Sequence, residues 1–288
     1  MAEARANIAI IGGSGLYEME GLEDVQSVSV KTPFGDPSDE IVVARLGDKR
    51  IAFLPRHGRG HRIMPTEVNS RANIFALKTL GVERIISISA VGSMRENIAP
   101  LHVVVPDQLL DRTRARQNTF FGNGIVVHIG FADPFCPDLS KIVAKAAADC
   151  GSTVHVGGTY VCIEGPQFST KAESRVYRQW GVDVIGMTAL PEAKLAREAE
   201  ICYATLAFVT DYDVWHESEE AVSVELIVGN LLKNVKLAKR IIKEAIPLIP
   251  DSRDCECPRA LQNAIITQRE RIPARIREDL APIIGRYV

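Results

Sequence analysis

Asn7-Ile8-Ala9-Ile10-Ile11-Gly12-Gly13-Ser14-Gly15 is a short apolar run that ends in a glycine turn. Residues 8–11 show no alternation of polar and apolar side chains. Such a strand is buried on both faces, as in a sheet covered by helices. Comparable runs lie at 41–43, 51–54, 84–89, 103–105, 160–163, 183–185 and 204–209. Helical spacing fills the intervals. Residues 67–80 carry Val68, Ala72, Phe75 and Leu80, with Gly81 as a stop. Residues 140–150 have Ser140 as cap and Gly151 behind. Thr170-Lys171-Ala172-Glu173 has capping-box spacing and opens a helix to Trp180. Pro191 suits the first turn of a helix to about Ala199. Residues 223–246 form a long amphipathic helix with a solvated lysine-rich face and Pro247 past its end. The alternation predicts one α/β domain over 1–250, with a C-terminal helical extension over 251–288.

The chain has 288 residues, 46% hydrophobic and 24% charged, an ordinary globular composition. With 34 Lys+Arg against 36 Asp+Glu its formal net charge is −2, without the basic excess of a nucleic-acid binder. No apolar run approaches the ~20 residues needed to span a bilayer. The first residues lack a signal-peptide core, so a cytoplasmic location is expected. Six cysteines in this length do not make a disulfide-held scaffold.

Five segments carry chemistry. Gly12-Gly13-Ser14-Gly15 can present backbone N–H groups and a hydroxyl to an anion, or simply turn the chain. It is neither a Walker loop nor a dinucleotide fingerprint, since no Gly-Lys-Ser/Thr follows and Glu18 stands where the third glycine belongs. Arg56-His57-Gly58-Arg59 follows a strand, where ligands bind in α/β sheets, and its guanidinium and imidazole suit a phosphate or carboxylate. The small residues from Ser87 to Ser93 can bring amides to a ligand or merely turn. Phe168, after Glu164-Gly165-Pro166, can stack on a planar base or belong to the core. Asp211 and Asp213 follow a strand and can accept from an exocyclic amine or protonate a ring nitrogen; Asp213 could also cap a helix.

In this order, with Thr32-Pro33-Phe34-Gly35 and Gly186-Met187-Thr188, the segments closely resemble the trimeric purine nucleoside phosphorylase family over roughly residues 7–246. The resemblance implies a mixed central sheet flanked by helices and a phosphorolytic reaction. Phosphate would attack C1′ of 5′-methylthioadenosine, releasing adenine and 5-methylthioribose 1-phosphate, a step of purine and methionine salvage. It implies phosphate as co-substrate, no cofactor and no metal. Residue by residue, Ser14, Arg56, His57, Ser89, Ala90 and Thr188 correspond to the phosphate site. Phe168 corresponds to the base-stacking aromatic, Met187 to the ribose floor, and Asp211 and Asp213 to the catalytic purine readers. Val222, Val224 and Ile227 correspond to the 5′-group pocket, with His128 lent by a neighbouring subunit. That sharing implies a homotrimer or a hexamer. Asp211 stands where relatives that cleave 6-oxopurine nucleosides typically have Asn, which favours adenine.

The alternatives are a purine nucleoside or methylthioinosine phosphorylase of the same family, and a non-catalytic nucleotide sensor, which would lack the phosphate ligands. Cys255-Glu256-Cys257 resembles the Cys-x-Cys in tails of some heat-adapted members. A disulfide, a free pair and a metal contact stay open there, although two ligands alone make no metal site. Cys136, Cys150, Cys162 and Cys202 read as buried hydrophobes.

Overall fold

The structure, a computed structural model, describes residues 5–13, 15–216 and 224–288, with the backbone alone for 224–228. In chain order the elements are β1 (Ile8–Gly12), β2 (Glu23–Val28), β3 (Ile41–Leu46), β4 (Lys49–Pro55), α1 (Ser70–Thr79), β5 (Arg84–Ser93), β6 (Val103–Val105) and β7 (Gln108–Arg112). They continue with α2 (Pro137–Asp149), β8 (Val154–Val156), β9 (Thr159–Ile163), α3 (Lys171–Gln179), β10 (Val184–Gly186), α4 (Glu192–Glu198), β11 (Cys202–Asp211), α5 (Val224–Leu248), α6 (Ala274–Asp279) and α7 (Ala281–Ile284). The strands form one mixed sheet in the order β2-β3-β4-β1-β5-β10-β9-β7, with β11, β6 and β8 branching from β5.

Every residue of β1 and β11 is buried. Ala9 and Ile11 face one core with α1, α4 and the tail residues Leu261, Ile272 and Ile284. Ile8 and Ile10 face a second core with Val143 of α2 and Ile241, Ile242 and Ala245 of α5. The absence of alternation thus reports helices on both faces. The tail is tied down through Glu200, which accepts from the Leu261 amide at 3.0 Å and the Tyr287 hydroxyl at 2.6 Å.

The capping box at Thr170 and Glu173 is formed as expected. Three helix ends differ from the expectation. α1 starts at Ser70, because Asn69 caps it by accepting from the Ala72 amide at 3.1 Å. α2 starts at Pro137 with Cys136 as N-cap, so Ser140 is inside the helix. Proline at the first helical position lacks the N–H that would be orphaned there. α5 runs on to Leu248 and includes Pro247 in its last turn.

β5 organises the site. On one edge it pairs with β1 through Ser87, and then with β10 at Gly92 and Ser93. The stretch between faces a gap in the sheet. β1, β4, β5 and β11 are mutually parallel, so Gly12, Pro55, Gly92 and Asp211 lie at their carboxyl ends. β10 runs antiparallel to β5, with Val184 opposite Ser93 and Ile185 opposite Gly92. Continuing that register three residues beyond Ile185 brings Thr188 opposite Ser89.

Glu198, at the end of α4, is buried and accepts from the Phe120 amide at 2.8 Å and the Thr119 hydroxyl at 2.7 Å. Burial outweighs these bonds and pushes its carboxyl from 4.5 up to about 7. The fold therefore favours the protonated acid. That contribution is complete below pH ~4.5 and is lost as pH rises through ~7, on the order of 3 kcal/mol. Glu198→Gln, which can satisfy both partners, is expected to match the wild type at pH 5 and exceed its stability at pH 8. Denaturant unfolding at the two pH values checks this; equal curves at pH 8 would refute it.

Candidate active site

Arg56 leaves the end of β4 with its amide bonded to Gly12 O at 2.9 Å. Its side chain, 4% exposed, enters the gap beside β5. Nη1 donates to Ile88 O at 2.9 Å and Nη2 to Ser87 Oγ at 2.7 Å. Nε and Nη2 form a fork on the Glu192 carboxylate at 2.5 and 3.0 Å. Burial disfavours the charge, but Glu192 outweighs it and holds the guanidinium above its ordinary pKa. A guanidinium has five N–H donors, and these contacts use four, leaving one on Nη1 for an incoming anion. The charge of Arg56 is thus balanced inside the protein by a residue that sequence reading missed.

His57 is held by its Nδ1, 2.8 Å from Ile63 O. A carbonyl only accepts, so Nδ1 carries the proton and Nε2 keeps its lone pair. Burial first, then the Arg56 charge, pushes the imidazole from 6.5 down to about 4. His57 is therefore neutral near pH 7. A small cavity is lined by Arg56, His57, Arg116, Met187, Thr188 and Glu192, among others.

Ser89, Thr188 and Tyr160 form a hydroxyl triad. Ser89 Oγ lies 2.7 Å from Thr188 Oγ1 and 3.0 Å from Tyr160 Oη. Tyr160 is wholly buried beneath β10, where a Cβ on Gly186 would come within 2.1 Å of its hydroxyl. Only glycine admits that approach. Gly186→Ala is expected to displace Tyr160 and cost ~1–3 kcal/mol of stability. Denaturant unfolding checks this; an unchanged stability would contradict the close approach of the Tyr160 hydroxyl to Gly186. Ala90, next along β5, is exposed, so the strand opens to solvent at this point.

At the end of β11 the register shifts between Val209 and Asp211. Asn230 and Asn234 of α5, one helical turn apart and both buried, donate to Thr210 O at 2.8 Å and Val209 O at 3.2 Å. The Asp211 carboxylate accepts from the Thr210 hydroxyl at 2.7 Å and from the Asp213 amide at 2.8 Å. Asp213 accepts from the Ser174 hydroxyl of α3 at 2.6 Å. Burial raises both carboxyl groups above their ordinary values despite these bonds. A Cβ on Gly92 would lie 2.9 Å from Asp211 Oδ1 and 3.3 Å from Asp213 Cβ, so the pair closes over that glycine.

Met187 and Phe168 sit on two loops clamped by Arg116. Its buried guanidinium donates to Met187 O and Leu190 O at 2.6 Å each, to Glu164 O at 2.6 Å, and to Glu164 Oε1 at 2.8 Å. Burial pushes the Glu164 carboxyl up, but the Ala115 and Arg114 amides and Arg116 prevail and leave it below its ordinary value. Phe168 is 59% exposed, so it is not a core residue.

The structure brings together Arg56, His57, Ser89, Ala90, Thr188 and Met187, with Asp211 and Asp213, at and just after the end of β11, packed over Gly92 further along β5. His128 is not among them in its own chain. It stands exposed, with its amide bonded to Ala264 O at 2.9 Å. Ser14 and Val222 lie outside the described residues, as do the side chains of Val224 and Ile227, which begin α5.

A buried guanidinium, three clustered hydroxyls and a pair of buried carboxyls thus gather along β5 and at the carboxyl ends of the strands parallel to it. The chain belongs to the Phosphorylase superfamily, whose sequence profile it matches over residues 7–247. Within that superfamily it is 62% identical to the S-methyl-5′-thioadenosine phosphorylase of Geobacter sulfurreducens, over 98% of this chain and 99% of that protein. A methylthioadenosine phosphorylase from an antarctic soil metagenomic library superposes with a TM-score of 0.94 at 51% identity, covering 97% of this chain and 99% of that one. The methylthioadenosine phosphorylase of Schistosoma mansoni in complex with adenine superposes with a TM-score of 0.82 at 36% identity, covering 97% and 98%.

Proposed function

We propose that this chain cleaves 5′-methylthioadenosine with phosphate, giving adenine and 5-methylthioribose 1-phosphate. The whole-length similarity to S-methyl-5′-thioadenosine phosphorylases supports the substrate. The observation that carries the mechanism is the layout of β5. Ser89 belongs to the anion cradle, and Gly92 lies under the carboxyl pair. They are three positions apart along the strand, about 10 Å. A nucleoside laid along β5 places C1′ against the cradle and its base against Asp211 and Asp213.

Phosphate receives hydrogen bonds from Ser89, Thr188 and the remaining Arg56 N–H. His57 Nε2 accepts a hydrogen bond from the P–O–H of a monohydrogen phosphate, which keeps its proton and its two negative charges. As a phosphate oxygen bonds to C1′, the C1′–N9 bond breaks and its electron pair moves into the purine. Asp211, raised by burial, gives N7 a proton so that the base does not leave as an anion. The dianionic phosphate stabilises positive charge developing on the sugar. Phe168 stacks on the base and Met187 lies under the ribose. No organic cofactor or catalytic metal is required. No described helix is long and apolar enough to cross a membrane, and a cytoplasmic location is part of the same reading. So is a homotrimer or dimer of trimers in which His128 reaches a neighbour's 5′ pocket, which its exposure supports.

The test is base release from methylthioadenosine, adenosine and inosine, with and without phosphate. Phosphate-dependent adenine release, fastest from methylthioadenosine, is expected. Equal or faster cleavage of inosine would refute the specificity, and no release from any of the three would refute the activity.

A further inference from the structure

Four cysteines far apart in sequence meet at one point. The Sγ atoms of Cys136, Cys202, Cys255 and Cys257 all lie within 4.8 Å of one another, and those of Cys202 and Cys255 are 3.4 Å apart. Cys136, Cys202 and Cys257 are buried, and Cys255 is half-buried. Cys136 is the N-cap of α2, with its amide bonded to Tyr203 O at 2.8 Å. Cys202 opens β11, with its amide bonded to Glu83 O at 2.9 Å. Cys255 and Cys257 lie on the segment after α5, which Arg253 anchors by donating to Glu200 O at 2.9 Å. Cys136 and Cys202 are thus fixed by backbone that belongs to the core, and the anchored segment brings Cys255 and Cys257 against them.

We propose that Cys136, Cys202, Cys255 and Cys257 form a structural tetrathiolate site for Zn²⁺, joining the C-terminal segment to β11 and α2. A tetrahedral ion with Zn–S bonds of ~2.3 Å has S···S edges of about 3.8 Å, and the sulfur spacings bracket that value. Four thiolate donors leave no open position for water, which makes the site structural rather than catalytic. Thiolates select Zn²⁺ over Mg²⁺ or Ca²⁺. The net negative charge of the bound site has local support. Cys136 is the N-cap of α2, where the positive end of the helix dipole favours a thiolate. Metal binding displaces the remaining thiol protons to solvent, with no change of oxidation state. Cys202 and Asp211 are opposite ends of β11, about 30 Å apart, so the site acts on stability and not on turnover.

The test uses full-length protein purified reduced and without chelator. One zinc per chain is expected by elemental analysis. Anaerobic Co²⁺ titration of the metal-stripped protein is expected to give tetrahedral d–d and thiolate charge-transfer bands that saturate at one ion per chain and vanish on adding Zn²⁺. Stripping the metal lowers Tm. The Cys255→Ser/Cys257→Ser variant is expected to lose the cobalt bands and melt earlier with kcat unchanged, while Cys150→Ser keeps them. Should the double variant not fold, the wild-type cobalt titration decides alone. Absence of cobalt bands in reduced protein would overturn the proposal. So would iron in place of zinc, or only two free thiols in the denatured protein as isolated, which would mean that the four sulfurs are paired as disulfides.

Discussion

Asp211→Ala is expected to lower turnover of 5′-methylthioadenosine by about 10²–10⁴-fold, the range for a lost general acid, with little change in KM for phosphate. Asp211 ends β11 beside Gly92 of β5, three positions along that strand from Ser89, and its carboxyl is raised by burial. Removing it forces the purine to leave without a proton and leaves Arg56, Ser89 and Thr188 in place. Asp211→Asn keeps the shape and can still accept from the Asp213 amide. It cannot protonate N7, and its amide donates where a carboxylate accepts. It should therefore lose turnover on methylthioadenosine while gaining relative preference for 6-oxopurine nucleosides. Steady-state kinetics with each substrate varied separately checks both variants. An equal loss of phosphate affinity and turnover in Asp211→Ala would remove Asp211 from the acid role.

Glu192→Ala is expected to destabilise the fold by about 3–5 kcal/mol, because it leaves a buried guanidinium unpaired. Glu192 is 1% exposed and balances Arg56, and it also accepts from the Tyr203 hydroxyl at 2.9 Å. Arg56 would turn to water or to bound anion, so phosphate should stabilise the variant more than the wild type. Glu192→Gln keeps part of the hydrogen bonding and should lose less. Denaturant unfolding with and without phosphate measures this. A loss below ~1 kcal/mol in Glu192→Ala would mean that Arg56 has another partner.

These two expectations come from different sources of information. Asp211 was legible in the sequence, because it follows a mostly apolar run within a recognisable motif. Glu192 was not, because its pairing with Arg56 spans 136 residues and nothing local marks it. Arg116, Asn230 and Asn234 escaped for the same reason: their work is done on backbone carbonyls of distant loops and of the β11 bulge. The doubly buried strands were readable as apolar runs. β2, with the sequence EDVQSV, lies at the sheet edge with exposed residues and offered no such run. β7, with QLLDR, is likewise an outer strand paired on one side. The Cys255-Glu256-Cys257 motif was visible, but its partners Cys136 and Cys202 read as ordinary core, since only the fold brings α2, β11 and the tail together.

The central claim is that phosphate itself becomes bonded to C1′ as the purine leaves. The most direct measurement is phosphorus NMR of a reaction run with oxygen-labelled phosphate. The account predicts a new sugar 1-phosphate resonance that forms in step with adenine and retains every labelled oxygen, including the one bridging to C1′. Free methylthioribose with the labelled phosphate unchanged would contradict it, for then water rather than phosphate would be the nucleophile.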